Sequence, residues 1–149
     1  MKTTDFQSLM TSSADEVLNS MFFVGVESNG DESAAAGEEW MAARVSFRGP
    51  RSGAFGIGAP LTTARTLAAN FLGQDEAEIQ DTQMEEVFCE LSNMICGAFL
   101  SRLGDESVYD LSHPARDDAA SPAGEGVVSQ WLQLDEGQLR VWLRMGPLS

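Results

Sequence analysis

Basic residues are scarce in this chain of 149 residues, which carries 9 lysines and arginines against 23 aspartates and glutamates and a formal net charge of −14. Such a surface repels phosphate backbones and anionic lipids, so nucleic acid is not an expected partner. No segment approaches the roughly 20 consecutive apolar residues that span a bilayer, and the N-terminus does not resemble a signal peptide. We therefore expect a cytoplasmic protein with no membrane partner.

Cysteine and histidine are also rare. Cys89 and Cys96 lie seven residues apart in one predicted helix, which separates them by about 10 Å along its axis and puts them beyond the reach of a disulfide. The single histidine, His113, has no second histidine or cysteine at the spacing of a metal site. The sequence therefore predicts two small buried thiols in a reducing compartment, with no intrinsic metal or cofactor.

The remaining composition suits one domain, residues 1–149, with 43% hydrophobic residues to form its core. Apolar residues at helical spacing predict helices over residues 4–21, 60–73 and 82–104. Gly73 and Gly104 are the expected helix stops, and Thr82 with Glu85 is the expected capping box of the long helix. Strand-like runs follow a different period and occupy residues 22–26, 40–49, 52–60, 107–113, 126–134 and 138–146.

The order of these elements indicates the fold class. Helix, three strands, two helices and three strands predict an α+β domain, in which helices cover one face of a largely antiparallel sheet. The polar stretch 27–39 is predicted to be a hairpin loop between the first two strands, and residues 114–126 are predicted to be a second loop. Because each half reads as a helix followed by strands, the order also suggests an internal duplication.

A polar strip interrupts the apolar surface of the long helix. At 100° per residue, a wide apolar face and a second apolar patch flank a strip that contains Glu86, Glu90, Asn93 and Gly97. Glu90 and Asn93 lie at positions i and i+3 and so point the same way, while Gly97, one turn further, leaves a low spot. Such a strip suits a docking surface, although many polar strips are simply where a helix meets water.

The context of this strip resembles a known family. The span from "GAFGIGAPLTTARTLAANFLG" to "MEEVFCELSNMICGAFLSRLG" is similar to the CheX-like branch of the CheC/CheX family of chemotaxis phosphatases. In that family a Gly-rich strand, a helix ending in Leu-Gly, and a helix with E-x-x-N followed by Met-Ile-x-Gly occur in this order. The motif residues here are Glu90, Asn93, Met94, Ile95 and Gly97.

The resemblance implies a phosphatase that acts on the phospho-aspartate of a CheY-type response regulator, which itself supplies the Mg²⁺. Asn93 would hold a water in line with the acyl phosphate, and Glu90 would pair with the active-site lysine of the regulator. Positioning by a neutral amide fits what phosphoryl transfer requires. Met94, Gly97 and Glu86 would contact the partner, although the family pattern has Asp or Ser where Glu86 stands.

The first predicted helix carries the same spacing in Ser12, Glu16 and Asn19. In CheC-type relatives both halves can carry a motif, so a second site is one interpretation. The other is an ordinary capped amphipathic helix. Phe23 stands where Gly97 follows the first motif, and residues 21–23 are expected to be buried, which favours the ordinary helix.

Two other classes of function stay open. One is a non-catalytic module that binds a receiver domain or a flagellar-switch partner, for which the Glu90 anchor would serve equally well. The other is an enzyme for a small molecule, for which the sequence offers no catalytic cluster beyond the strip. The resemblance further implies a homodimer formed by sheet extension, with residues 138–146 as the expected edge strand.

Overall fold

The computed structural model describes residues 3–29, 39–103, 108–117, 126–135 and 137–148. Within these ranges the chain forms three α-helices, a 3₁₀ turn at Glu76–Glu78 and seven strands. The helices are α1 (Thr3–Met21), α2 (Leu61–Leu72) and α3 (Asp81–Ser101). The strands are β1 (Val26–Asn29), β2 (Trp40–Arg48), β3 (Arg51–Pro60), β4 (Asp110–Leu111), β5 (Ala115–Asp117), β6 (Val127–Leu134) and β7 (Gly137–Leu148). The α+β prediction is confirmed.

The helix bounds agree closely with the periodicity of the sequence. α2 stops at Gly73, whose φ of 67° is left-handed and whose N–H bonds to the Ala69 carbonyl, as expected of a glycine C-cap. α3 begins slightly earlier than predicted, because the Gln83 side chain accepts a hydrogen bond of 2.9 Å from the Gln80 backbone N–H. The predicted Thr82–Glu85 box is therefore wrong, and the predicted stop at Gly104 lies outside the described residues.

The sheet is antiparallel, with strand order β1-β6-β7-β3-β2-β4 and with β5 also paired to β2. In the second half of β2, the exposed residues Arg44, Ser46 and Arg48 alternate with buried ones. Since alternate side chains of a strand point to opposite faces, one face of the sheet packs against the helices. The buried positions join the core formed with the three helices: Met41, Ala43, Val45 and Phe47. This arrangement leaves the outer surface of α3 uncovered by the sheet.

The strand order is symmetric about its centre. The hairpins β2–β3 and β6–β7 meet where β3 pairs with β7. Beyond them, β1 of the first half pairs with β6, and β4 and β5 of the second half pair with β2. α1 and α3 thus precede equivalent sets of strands, which agrees with the predicted duplication.

The sheet is also strongly curled. Trp40 on β2 and Trp131 on β6 are separated by two strands, yet their rings pack edge to face with centroids 5.2 Å apart. Between them, the Trp142 ring lies so close to Gly56 that any side chain at Gly56 would collide with it. Gly56 therefore allows the Trp142 ring to pack closely against β3 on the sheet face away from the helices.

Two predictions for the first half of the sheet are wrong. Residues 22–25 are not a strand but close the end of α1, since the backbone N–H groups of Phe22 and Val24 both donate to the Leu18 carbonyl at 3.1 Å. The first two strands do not form a hairpin either, because β1 pairs with β6 and β2 pairs with β3. Residues 30–38, the greater part of the predicted hairpin loop, lie outside the described residues.

Two predictions for the second half also need correction. Of residues 108–113, the described part of the predicted strand, only Asp110–Leu111 form a strand, and β5 lies within the predicted loop 114–126. The C-terminal run is not an edge strand, because β7 is bonded to β3 on one side and to β6 on the other. This central position agrees with the burial of Leu139, Val141 and Leu143 against the helices and of Trp142 on the opposite face.

Candidate functional site

The predicted polar strip lies on the outer surface of α3. The opposite face of the helix is held in the core by Phe88, Leu91, Ile95 and Phe99. As a result Glu86 and Glu90 are exposed, while Asn93, Met94 and Gly97 are half-buried. α3 therefore brings the five predicted catalytic and partner-binding residues to its outer surface, while Ile95, the remaining residue of the motif, lies in the core.

The side chains of Glu86, Glu90 and Asn93 have no partner in the described part of the chain. Among the described residues, Glu86, Glu90 and Asn93 make no side-chain hydrogen bond or ion pair. Gly97 is equally free of internal constraint, since a Cβ added there would meet nothing within 4 Å. An exposed acid, an amide and a bare helix position are thus all available to an external partner.

A groove of about 490 Å³ adjoins the strip. One wall belongs to α3, and the other is the segment His113–Arg116, which leads into β5. Arg116 Nη1 lies 3.9 Å from Glu85 Oε2 across the groove. The α3 residues that line it are Thr82, Glu85, Glu86, Cys89 and Glu90.

Sequence analysis missed this second wall. Residues 114–126 read as a polar loop with proline and glycine, and nothing local signals that Ala115–Asp117 pair with Ala42–Arg44 of β2. This pairing between distant parts of the chain sets the wall beside α3.

Both cysteines of α3 are free thiols. Cys96 is buried, and burial raises its pKa to about 12. Cys89 is only half-buried and lines the groove, where burial and then the Glu85 carboxylate raise its pKa against an opposing effect of Arg116. Neither thiol is therefore activated as a nucleophile near neutral pH.

The described residues contain no cluster of three or more His, Cys, Asp or Glu side chains that could hold a metal ion. His113 accordingly faces the groove without a set of metal ligands around it.

The second motif lies on α1 in a different environment. Glu16 forms an ion pair with Arg102, at the end of α3, and Arg102 also approaches the Ser13 hydroxyl at 3.4 Å. The Asn19 amide donates to the backbone carbonyl of Asp15 at 2.9 Å and to its carboxylate at 2.7 Å. Ser12 is exposed, so the three residues share a helix face but two of them already have internal partners.

The end of α1 differs from the prediction. Phe22 is buried as expected, but Met21 is 43% and Phe23 is 74% exposed. Phe23, two residues after the end of α1, has a φ of 58°. This is the left-handed conformation that glycine usually adopts after a helix. The position that corresponds to Gly97 therefore projects a large side chain instead of leaving a low spot.

Within the described part of the chain, no helix combines the length and apolar character required to cross a membrane.

Solved structures with the same fold include proteins named CheX and a protein named FliY. A CheX from Desulfovibrio desulfuricans is 16% identical with a TM-score of 0.73, covering 95% of this chain and 99% of that one. A CheX–CheY–BeF3–Mg²⁺ complex from Borrelia burgdorferi matches at 19% identity and a TM-score of 0.72, covering 96% and 99%. FliY from Thermotoga maritima matches at 13% identity and a TM-score of 0.59, covering 93% and 85%. At these identities the likeness concerns the fold.

The sequence itself gives the family. No curated protein matches the chain significantly. A family model described as "Chemotaxis phosphatase CheX" matches residues 41–119, which is more than half of the chain and includes the whole strip on α3. The chain therefore belongs to the CheX family of chemotaxis phosphatases.

Proposed function

We propose that this chain hydrolyses the aspartyl phosphate of a CheY-type response regulator and that the strip on α3 is its active surface. The observation that carries the proposal is the freedom of Glu90 and Asn93, which share one helix face and have no internal partner among the described residues. Membership of the CheX family supports the reaction class. The Borrelia burgdorferi complex supports the partner class, because it pairs a CheX of the same fold with CheY.

In this proposal Asn93 is the catalytic residue. Its carboxamide holds a water molecule in line with the phosphorus, whose bond to the water oxygen forms while the bond to the aspartyl oxygen breaks. The products are inorganic phosphate, which keeps the protons of the water, and the free aspartate of the regulator. A neutral amide suits this position because a carboxylate would repel the phosphoryl group, and the rate gain comes from positioning.

Glu90 anchors the complex. Its exposed carboxylate pairs with the active-site lysine of the regulator, so it supplies binding energy and not chemistry. Glu86 and Met94 flank this contact on the same helix, and Gly97 allows the two backbones to approach closely because no side chain stands there. The regulator contributes the phosphoryl group and the Mg²⁺, and this chain contributes no cofactor.

Multiple turnover tests the proposal against a module that only sequesters its partner. With a phosphorylated CheY-type receiver domain in large excess, each chain should release many phosphates above the spontaneous rate. One phosphate or fewer per chain, together with measurable binding, would establish a receiver-binding or flagellar-switch module instead. Loss of both binding and turnover would remove the receiver as the partner.

We also propose that the chain forms a homodimer. Because β7 is central, sheet extension through the C-terminal strand is ruled out. A second copy could instead pair with β1, which lies at one of the two ends of the strand order. Light scattering at micromolar concentration should give twice the chain mass of 16.1 kDa. A mass equal to that of one chain would contradict the dimer.

A further inference from the structure

The groove beside α3 extends the proposed active surface. Glu86 and Glu90 belong both to the polar strip and to the groove, which runs from Glu90 toward Thr82 at the start of the helix. Thr82 and Glu90 are eight positions apart, so the groove follows α3 for about 12 Å. A receiver docked on Glu90 therefore meets the opposite wall, His113–Arg116, as well as α3.

That wall brings a positive charge to a surface that is otherwise negative. α3 lines the groove with Glu85, Glu86 and Glu90, in a chain whose formal net charge is −14. The phosphorylated face of a receiver is itself anionic at the acyl phosphate, and like charges across an interface oppose docking. Arg116 offsets this repulsion at the place of contact.

Arg116 is free to change partners. Its ion pair with Glu85 is long, at 3.9 Å, and the side chains of the two residues are 50% and 41% exposed. An ion pair this exposed contributes little to folding. A carboxylate on a docked partner can therefore replace Glu85 at little cost to the fold.

We propose that His113–Arg116 forms the second wall of the receiver-binding surface and that Arg116 is a specificity residue, which favours receivers with a carboxylate beside the lysine bound by Glu90. This inference rests on the proposed function, since it assigns a further contact to the same docking surface. Receivers with a basic residue at that place would be disfavoured by repulsion from Arg116.

The test compares a charge reversal at Arg116, in the groove, with a charge reversal at Arg144, on the sheet face away from the helices. The affinity of a CheY-type receiver domain, activated with BeF3 and Mg²⁺, is measured for the wild type, Arg116→Glu and Arg116→Lys. The matched control is Arg144→Glu, because Arg144 is exposed on β7, is turned away from the helices and has no ion pair among the described residues. Both reversals change the net charge equally, so their difference reports the local contact.

Arg116→Glu should weaken binding about tenfold or more, while Arg144→Glu stays within about twofold and Arg116→Lys recovers most of the affinity. Equal effects of both reversals, or no effect of Arg116→Glu, would overturn the inference. If the wild type binds the receiver but does not hydrolyse its aspartyl phosphate, the proposed function is wrong. The comparison of the arginine variants still shows in that case whether His113–Arg116 contacts the receiver.

Discussion

The two copies of the Glu-x-x-Asn spacing, one on α1 and one on α3, show how different surroundings give the same residues different uses. On α3 the Glu90 and Asn93 side chains have no internal partner among the described residues. On α1 Glu16 is paired with Arg102, and Asn19 is bonded to Asp15. The spacing makes the two side chains neighbours, but the rest of the fold decides whether they are available.

The helix ends add to this difference. α3 continues from Asn93 to Ser101, so its motif lies within a regular helix and Gly97 follows one turn later. α1 ends at Met21, two residues after Asn19, and Phe23 projects from the turn that follows. A partner that reads the flat surface of α3 would meet an obstacle on α1. We infer that α3 carries the activity, whereas Glu16 is engaged in an ion pair with Arg102 at the end of α3.

The largest expected effect comes from the two asparagines. Asn93→Ala should lower the turnover number by roughly 100-fold or more and leave receiver affinity within about threefold, since the contact is made mainly in the transition state. Asn19→Ala, the matched control, should leave both values within about twofold. Rapid phosphate-release assays check the pair. Full activity in Asn93→Ala would refute the catalytic assignment, and a large loss in Asn19→Ala would show that α1 is active too.

The two glutamates should separate binding from stability. Glu90→Ala should weaken receiver binding by about 1–3 kcal/mol if it anchors a partly desolvated lysine, without lowering the melting temperature. Glu16→Ala should leave binding intact but lower the free energy of unfolding by less than about 1 kcal/mol, because the Glu16 side chain is largely exposed. Titration calorimetry and thermal unfolding measure the two effects. A marked loss of stability in Glu90→Ala would mean that the residue is structural.

Gly97 offers a test in which stability and function move in opposite directions. Alanine fits there without a clash, so Gly97→Ala should raise the free energy of unfolding by about 0.5–1 kcal/mol. The added methyl group stands on the docking surface, and receiver affinity should fall several-fold. Denaturant unfolding and receiver titration of the same variant provide the comparison. Unchanged affinity would show that the partner does not approach Gly97.

Phe23 provides the corresponding change on α1. Because its φ of 58° costs a side chain about 1 kcal/mol relative to glycine, Phe23→Gly should stabilise the protein by about that amount. Receiver binding and turnover should not change, since α1 does not dock the partner in this account. Denaturant unfolding measures the gain. A loss of activity in Phe23→Gly would assign a function to the exposed ring and break the contrast between the helices.

Local sequence patterns predicted the parts of this fold that depend on local forces. The three helices follow apolar periodicity and glycine stops such as Gly73, and the same periodicity placed Glu90 and Asn93 on the outer face of α3. The errors in the order of the strands concern pairing between distant residues. β1 pairs with β6 instead of β2, and Ala115–Asp117 became a strand through their contact with β2.

Tertiary contacts likewise decided the parts of the site that the sequence did not predict. Glu16 and Arg102 are 86 residues apart, so no local pattern on α1 shows that the carboxylate is neutralised. The groove wall at Arg116 depends on the same kind of distant pairing. Periodicity can therefore identify which side chains face outward, but not which of them find a partner within the fold.

Backbone hydrogen exchange with and without a BeF3-activated CheY-type receiver domain is the measurement that tests the central contrast most directly. It reports on both helices in one sample, and exchange slows where a partner covers a surface. We predict protection in residues 86–97 of α3 and in residues 113–116, with no change in residues 12–19 of α1. Protection confined to α1, or equal on both helices, would contradict the conclusion that only the α3 motif meets the regulator.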